Sequence, residues 1–154
     1  MESFVWPVLP EPTASMIPAI EIGDIFLING IVFKNNPPQQ GDVLVFNYPH
    51  DIEKAFVKRV IAVENDTVLI KEGKVYVNGK APQDDIIRNN YYSNEGQYGA
   101  VGQEIKIPKG KYYVLGDKTQ KSKDSRYWGF VGDEHIIGKA YKIVYPFERS
   151  GVIK

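Results

Sequence analysis

Ser15 and Lys58 are the two residues of this sequence whose chemistry is best suited to catalysis. Ser15 lies in the segment Pro-Thr-Ala-Ser-Met-Ile-Pro, and Lys58 lies in the segment Phe-Val-Lys-Arg-Val. Neither segment contains a histidine that would act as a base. A serine hydroxyl is a weak nucleophile at neutral pH, and a lysine can activate it only when the lysine is neutral. The two segments together therefore predict a hydrolase with a Ser/Lys dyad.

The neighbours of Lys58 suit a lysine that has to lose its proton. If this segment is a strand, alternation places Lys58 on the same face as Phe56 and Val60, and Arg59 on the opposite face. Apolar surroundings disfavour the charged form of a lysine and so lower its pKa. Each residue also has a simpler interpretation when taken alone, because Lys58 suits a solvated edge strand and Ser15 suits an ordinary loop.

Two further segments accompany the serine and the lysine. One is the pair Gly116-Asp117, and the other is residues 122–130, with the sequence Ser-Lys-Asp-Ser-Arg-Tyr-Trp-Gly-Phe. In this order the four segments resemble those of the bacterial type I signal peptidases, which are membrane-anchored enzymes that remove signal peptides from exported proteins. The resemblance runs over residues 12–145, which is nearly the whole chain, and it outweighs the simpler interpretations of the dyad.

The resemblance implies a role for each residue that matches. Ser15 would be the nucleophile and Lys58 the general base, while the Thr13 hydroxyl and the Ser15 main-chain N–H would form the oxyanion hole. Ser122 would orient the lysine side chain. Four residues would support the site without taking part in the reaction, namely Asp124 and Arg126, which would form a salt bridge, and Gly116 and Asp117.

The same resemblance implies the reaction and the substrate. The enzyme would cleave after Ala-X-Ala through an acyl-enzyme, without a cofactor or a metal. An extended substrate would add a strand beside the Ser15 segment and residues 56–58. Small apolar pockets would be lined by Met16, Ile20, Phe56 and Val57, although Met16 also suits an ordinary core position. The expected partners are the signal peptides of preproteins and the membrane surface.

Two substitutions and the proline-rich start depart from the family pattern. Lys118 and Lys121 stand where asparagine is usual, and they would add positive charge near Lys58. Residues 6–12 contain more proline than the extended segment expected there, so the path of this segment is not predicted.

The start of the chain also lacks an apolar run of the roughly 20 residues that a membrane-spanning helix needs. We therefore expect a catalytic domain without its anchor, truncated from an enzyme of the bacterial inner membrane whose domain faces the extracytoplasmic side. Aromatic residues favour the lipid interface. Phe4 and Trp6 suit that interface and ordinary packing equally well, whereas Trp128 suits packing.

Short runs of branched and aromatic residues between turn residues predict a β-dominated fold of two packed, largely antiparallel sheets. The pair Glu72-Gly73 predicts a hairpin, and Asn78-Gly79 predicts a second tight turn. Residues 84–103, rich in Asn, Tyr, Gly and Gln, predict a long surface excursion within a single domain of residues 1–154. The predicted strands are residues 22–29, 42–48, 56–63, 67–70, 74–77, 111–115 and 136–146.

Composition excludes several other classes of function. The 154 residues contain 19 basic and 19 acidic side chains, so there is no overall charge to attract nucleic acid. Cysteine is absent, and the two histidines, His50 and His135, are far apart in sequence. We therefore predict neither a disulfide scaffold nor a zinc site.

Two other functions are compatible with the same segments. A self-cleaving repressor of the related Ser/Lys class would act on its own linker, but no helix-turn-helix pattern precedes Ser15. A signal-peptidase-like domain that has lost activity and assists the assembly of surface proteins would need a defect elsewhere, because Ser15 and Lys58 are both present. Lys118 and the proline-rich start are the candidates for such a defect.

Overall fold

The computed structural model describes the strand Val5–Pro7 and residues 14–154, and strands dominate this part of the chain. Among the described residues there are two short α-helices, α1 (Asp85–Asn89) and α2 (Ser125–Trp128). The strands are β1 (Val5–Pro7), β2 (Ile25–Asn29), β3 (Val43–Tyr48), β4 (Asp51–Ala62), β5 (Thr67–Lys71), β6 (Lys74–Val77), β7 (Ile105–Lys106), β8 (Lys111–Leu115), β9 (Val131–Gly132), β10 (Ile136–Tyr145) and β11 (Gly151–Val152).

Within the described residues the strands form two sheets, and every pairing between them is antiparallel. The larger sheet has the order β1-β2-β10-β3-β4-β8-β9, with β11 paired to β10. The smaller sheet has the order β6-β5-β7. The predicted β-dominated fold of two antiparallel sheets is confirmed.

Turn residues fix where the strands of the smaller sheet end. Glu72 and Gly73 have φ angles of 50° and 81° and join β5 to β6, with Lys71 opposite Lys74. A two-residue hairpin turn of this kind requires positive φ at both central positions. Asn78 and Gly79 follow with φ angles of 55° and 77°. Both predicted turns are confirmed.

The strand β4 is longer than the sequence predicts, because it begins at Asp51 rather than at Phe56. Its first residues pair with the end of β3 and are largely exposed, so alternating burial is absent there. From Val57 onward every residue of β4 is buried. This half of the strand lies between the apolar clusters of the fold and carries the lysine predicted to be catalytic.

The two sheets pack together through one of these clusters. Ile61 and Leu115 of the larger sheet meet Val68 and Ile70 of the smaller sheet there. Two side chains from the segment 84–103, Ile87 of α1 and Tyr92, join the same cluster, and each is 1% exposed. Residues 84–103 are therefore more than a surface excursion, because they supply two side chains to the core. Burial of such side chains stabilises the fold by about 1.5–3 kcal/mol each.

Two kinds of feature are absent from the described part of the chain. None of its helices is long and apolar enough to cross a bilayer. Its histidines and carboxylates form no group of three or more that could hold a metal ion.

Candidate active site

Ser15 and Lys58 lie side by side in the folded chain, although they are 43 residues apart in sequence. The Lys58 Nζ donates a hydrogen bond to the Ser15 Oγ over 2.7 Å. Only 2% of Ser15 and 5% of Lys58 is exposed. An amine at this distance from a hydroxyl is within reach of its proton, provided that the amine is neutral.

Local structure on both sides holds this contact in place. The segment after Ser15 forms a turn closed by a hydrogen bond of 3.0 Å from the Ile20 N–H to the Met16 carbonyl. Lys58 lies in the middle of the larger sheet, where it faces Leu44 across the β3–β4 pair. Its Nζ is 5.5 Å from the centre of the Phe56 ring, so Phe56 and Lys58 share a face as alternation predicts.

Arg59, the next residue of β4, points to the opposite face and is paired with a carboxylate. Its Nε donates to Asp117 Oδ1 over 2.8 Å, and its Nη2 donates to Asp117 Oδ2 over 2.7 Å. Burial by itself would lower the pKa of Arg59, but the hydrogen bonds and the charge of Asp117 outweigh burial and raise that pKa. Carbonyls of Gly41 and Lys154 accept its remaining hydrogen bonds, at 2.9 and 2.8 Å. Sequence reasoning assigned Arg59 no partner.

The turn of residues 116–118 connects this ion pair to the serine. Gly116 has no room for a side chain, because an added Cβ would lie 2.6 Å from the Ser122 Cβ and 2.7 Å from the Ser15 carbonyl oxygen. Glycine is needed here for close approach of the backbone. The Lys118 N–H then donates to the Ser15 carbonyl over 2.8 Å. Ser122 is thereby placed beside the Ser15 segment.

Asp124 organises the segment that carries Ser122. Its Oδ2 accepts hydrogen bonds from the Ser122 hydroxyl at 2.6 Å and from the Gly116 N–H at 3.1 Å. Its Oδ1 accepts from the Arg126 Nε at 2.8 Å, and neither side chain of this ion pair is exposed. Asp124 is also the N-cap of α2, because it accepts from the Arg126 N–H. One carboxylate therefore fixes both the turn and the helix.

Arg126 extends this network to a distant part of the chain. Its Nη1 donates to Thr119 Oγ1 at 2.7 Å and to Ser93 Oγ at 2.9 Å. Burial opposes its charge, but the hydrogen bonds and the charge of Asp124 prevail and raise its pKa. A guanidinium that stays charged and donates along several directions holds the segments around it in one arrangement.

The sequence profile described as signal peptidase, peptidase S26, matches residues 1–145 of this chain. The chain belongs to this family. It is 37% identical over 150 residues to a probable signal peptidase I-2 of Synechocystis, covering 92% of this chain and 64% of the relative. It is 34% identical to the signal peptidase I of Leptolyngbya laminosa, covering 91% of this chain and 69% of the relative.

A solved structure agrees with this assignment. The crystal structure of a signal peptidase I from Enterococcus faecalis is 29% identical to this chain and matches it with a TM-score of 0.54. The match covers 66% of this chain and 95% of the other. The resemblance to signal peptidases drawn from the four segments is thus confirmed.

In the structure, the four residues expected to line the substrate pockets lie in two separate apolar clusters. Met16, Ile20 and Val57 belong to one apolar cluster, and Met16 and Ile20 are fully buried. Phe56 packs on the other side of β4, where its ring stacks on Tyr48 at 4.7 Å. The structure therefore places only Met16, Ile20 and Val57 together.

Several predictions concern residues outside the described part of the chain. These are Thr13, Phe4, the side chain of Trp6 and the proline-rich segment 8–12, so their predicted roles stay predictions. The two histidines lie in separate surroundings, with His50 against the Tyr48 ring and His135 beside Glu134.

Proposed function

We propose that this protein is a serine endopeptidase that removes signal peptides from preproteins by cleaving after Ala-X-Ala. The observation that carries the proposal is the 2.7 Å hydrogen bond between the buried Lys58 amine and the Ser15 hydroxyl. Its weight comes from the family of the chain, since members of peptidase family S26 are signal peptidases.

The reaction begins when neutral Lys58 takes the proton of Ser15 as the Oγ attacks the carbonyl carbon of the cleaved bond. The tetrahedral intermediate then collapses, and the lysine ammonium gives its proton to the departing amine of the mature protein. The signal peptide remains bound to Ser15 as an ester. A water that loses its proton to Lys58 hydrolyses this acyl-enzyme and restores the serine.

The negative charge on the oxygen of the tetrahedral intermediate has to be stabilised by hydrogen-bond donors that are already in place. We assign this role to the Ser15 main-chain N–H and the Thr13 hydroxyl. Loss of one such donor typically slows catalysis by about 10²–10³-fold.

Ser122 is assigned the role of orienting Lys58. Its hydroxyl proton is committed to Asp124, which leaves the lone pairs of the Ser122 oxygen to accept from an amine. The tight contact of Gly116 with both Ser122 and the Ser15 carbonyl supports this assignment. Asp124, Arg126, Gly116 and Asp117 hold these groups without touching substrate.

Substrate selection would follow from the packing around the serine. Met16, Ile20 and Val57 belong to one closely packed apolar cluster next to the Ser15 segment. This packing would leave room for only a small substrate side chain beside Ser15. Phe56 borders Lys58 on the same face of β4, opposite to Val57. We place the working enzyme at the extracytoplasmic side of the inner membrane, where signal peptides emerge.

Cleavage of a signal-peptide substrate ending in Ala-X-Ala tests the proposal, with products located by mass spectrometry in detergent. The wild-type chain should cut after the second alanine, and Ser15→Ala and Lys58→Ala should not. Lys71→Ala, at an exposed lysine on the smaller sheet, is the matched control and should retain activity. Activity should also persist in EDTA. A folded wild-type chain that cuts nothing would favour the inactive assembly protein instead.

A further inference from the structure

An aromatic cleft of about 530 Å³ lies on the surface beside the Ser122 segment. Aromatic and polar side chains from three separate segments form its walls. They include Tyr48, Lys123, Tyr127 and Trp128.

Two paths of direct contact connect this cleft to the dyad. Along one, the Tyr48 ring in the cleft stacks on Phe56 at 4.7 Å, and the Phe56 ring lies 5.5 Å from Lys58 Nζ. Along the other, Lys123 follows Ser122, which packs against Gly116 at the serine. A chain bound at Ser15 therefore reaches the cleft within a few residues, since each extended residue spans about 3.3 Å.

Trp128 lines this cleft, and its indole N–H is a hydrogen-bond donor that no described residue satisfies. Its ring packs between Phe46 at 5.9 Å and Tyr48 at 5.7 Å. Its Nε1 is buried, and no described residue accepts a hydrogen bond from it. A buried indole N–H normally has an acceptor. A main-chain carbonyl of a bound polypeptide would supply one.

Lys123 gives the cleft a positive charge that is available to a ligand. Its Nζ lies 4.2 Å from the centre of the Tyr127 ring, and it forms no ion pair with any described residue. None of the described residues that line the cleft is acidic. The neighbouring carboxylate of Glu95 is already engaged, by the Ser93 hydroxyl at 2.7 Å and by Arg126 at 3.2 Å.

We infer that this cleft binds the substrate polypeptide within four residues of the cleaved bond. Trp128 donates its indole N–H to a main-chain carbonyl of the substrate, and Lys123 selects for an acidic side chain at the position that reaches it. The inference rests on the proposed function, because it adds a specificity-determining region to the same site.

A scan of substrate peptides tests the inference. Each peptide keeps Ala-X-Ala and carries one Asp, placed in turn at the free positions within four residues of the cleaved bond, with a matching Asn peptide for each. At one or two adjacent positions, Asp should raise kcat/KM over Asn by about three- to fivefold, the range of a partly exposed ion pair. Lys123→Glu should reverse this preference. Lys109→Glu, at an exposed lysine before β8, should leave it unchanged.

A second variant tests the hydrogen bond. Trp128→Phe keeps an aromatic ring against Phe46 but removes the donor, and KM should rise about 2- to 10-fold for every peptide while kcat is kept. Cleavage that shows no dependence on Lys123 at any position overturns the inference and leaves the proposed function intact. If no peptide of the series is cut, the proposed function and the inference both fall.

Discussion

Lys58 and Arg59 are adjacent buried basic residues on opposite faces of one strand, and they have different kinds of partner. Arg59 is bound by both oxygens of Asp117. Lys58 donates to a hydroxyl, that of Ser15. An arginine cannot lose its proton and is well matched to a carboxylate, whereas a lysine changes its pKa readily when buried. The strand thus carries a permanent charge on one face and, under the proposed function, a proton acceptor on the other.

Two carboxylates of residues 117–124 have different roles on the two faces of β4. Asp117 pairs directly with Arg59, so its role is to neutralise a buried charge. Asp124 instead binds Ser122 and Gly116, which pack against the Ser15 segment, and its own counter-ion is Arg126. Asp117 thus stabilises the fold, whereas under the proposed function Asp124 belongs to a network that positions the reacting groups.

Replacement of Lys58 should give the largest change in activity. Lys58→Met keeps most of the side-chain volume, and Lys58→Arg keeps a basic side chain, but neither residue can accept a proton. Both variants should lose about 10⁴-fold or more in kcat/KM. Circular dichroism should show that Lys58→Met remains folded, with a Tm close to that of the wild type. Residual activity in Lys58→Arg above one hundredth of the wild type would contradict the role of Lys58 as a base.

The pH profile of activity should follow the protonation of Lys58 and not that of Arg59. Because only neutral Lys58 can take a proton, kcat/KM should rise toward alkaline pH, by about tenfold per pH unit until the lysine is deprotonated. The charge of Arg59 does not change over this range. The measurement is kcat/KM from about pH 6 to pH 9, restricted to conditions in which the fold is intact. A flat profile, or a maximum in acid, is inconsistent with a lysine base.

Breaking the Arg59 pair should give the largest change in stability. Asp117→Asn leaves a buried guanidinium without its counter-ion, which costs about 3–5 kcal/mol of unfolding free energy. Urea denaturation measures this loss. The double variant Arg59→Met with Asp117→Leu should recover most of it, because apolar residues replace the pair. If the double variant is no more stable than Asp117→Asn, uncompensated charge is not the cause.

Asp124→Asn should reduce stability and activity together. The change keeps the shape of the side chain but removes the charge that binds Arg126 and Ser122, at a cost of about 3 kcal/mol. Because Ser122 is then free to move, we expect a clear fall in kcat and a smaller change in KM. Lys58→Met shows the opposite pattern, with activity lost and stability kept. Equal destabilisation in Asp124→Asn and Lys58→Met would remove the distinction between supporting and reacting groups.

Tyr92 should give the smallest effect, and only in alkali. Burial raises the pKa of its hydroxyl to about 12, whereas an unfolded tyrosine titrates near 10. The folded state therefore holds the Tyr92 proton more tightly, so stability is unaffected below pH 10 and falls as the pH rises toward 12. At about pH 11.5 Tyr92 accounts for a loss of about 2 kcal/mol. Tyr92→Phe should reduce the alkaline loss of stability by that amount, and an unchanged pH dependence would exclude Tyr92 as its source.

Local patterns predicted the strands well where burial alternates or turn residues mark both ends. The strands β6 and β8 begin and end at the predicted residues. Alternation also placed Lys58 and Arg59 on opposite faces. The sequence did not predict the order of strands in the larger sheet, because β10 pairs with β2 and β3, which are distant from it in sequence.

The side-chain contacts that the sequence did not predict also join residues that are distant in sequence. Arg59 and Asp117 are 58 residues apart, so no local pattern connects them. Arg59 did carry a signal, because it shares a strand face with the apolar residues Val57 and Ile61 and a buried arginine needs a carboxylate. The segment 84–103 held a second signal. Asp84 caps α1 by accepting from the Ile87 N–H at 3.0 Å, and the helix then turns Ile87 into the core.

The turn of residues 116–118 has a consequence for the length of the chain in this region. Its three consecutive residues contact Ser122, Arg59 and the Ser15 carbonyl in turn. One inserted residue would shift everything after it by about 3.8 Å, and no more than one of these contacts would survive. Insertions and deletions should therefore be eliminated here during evolution, whereas the exposed turn at Asn78-Gly79 can vary in length and can accept a grafted peptide.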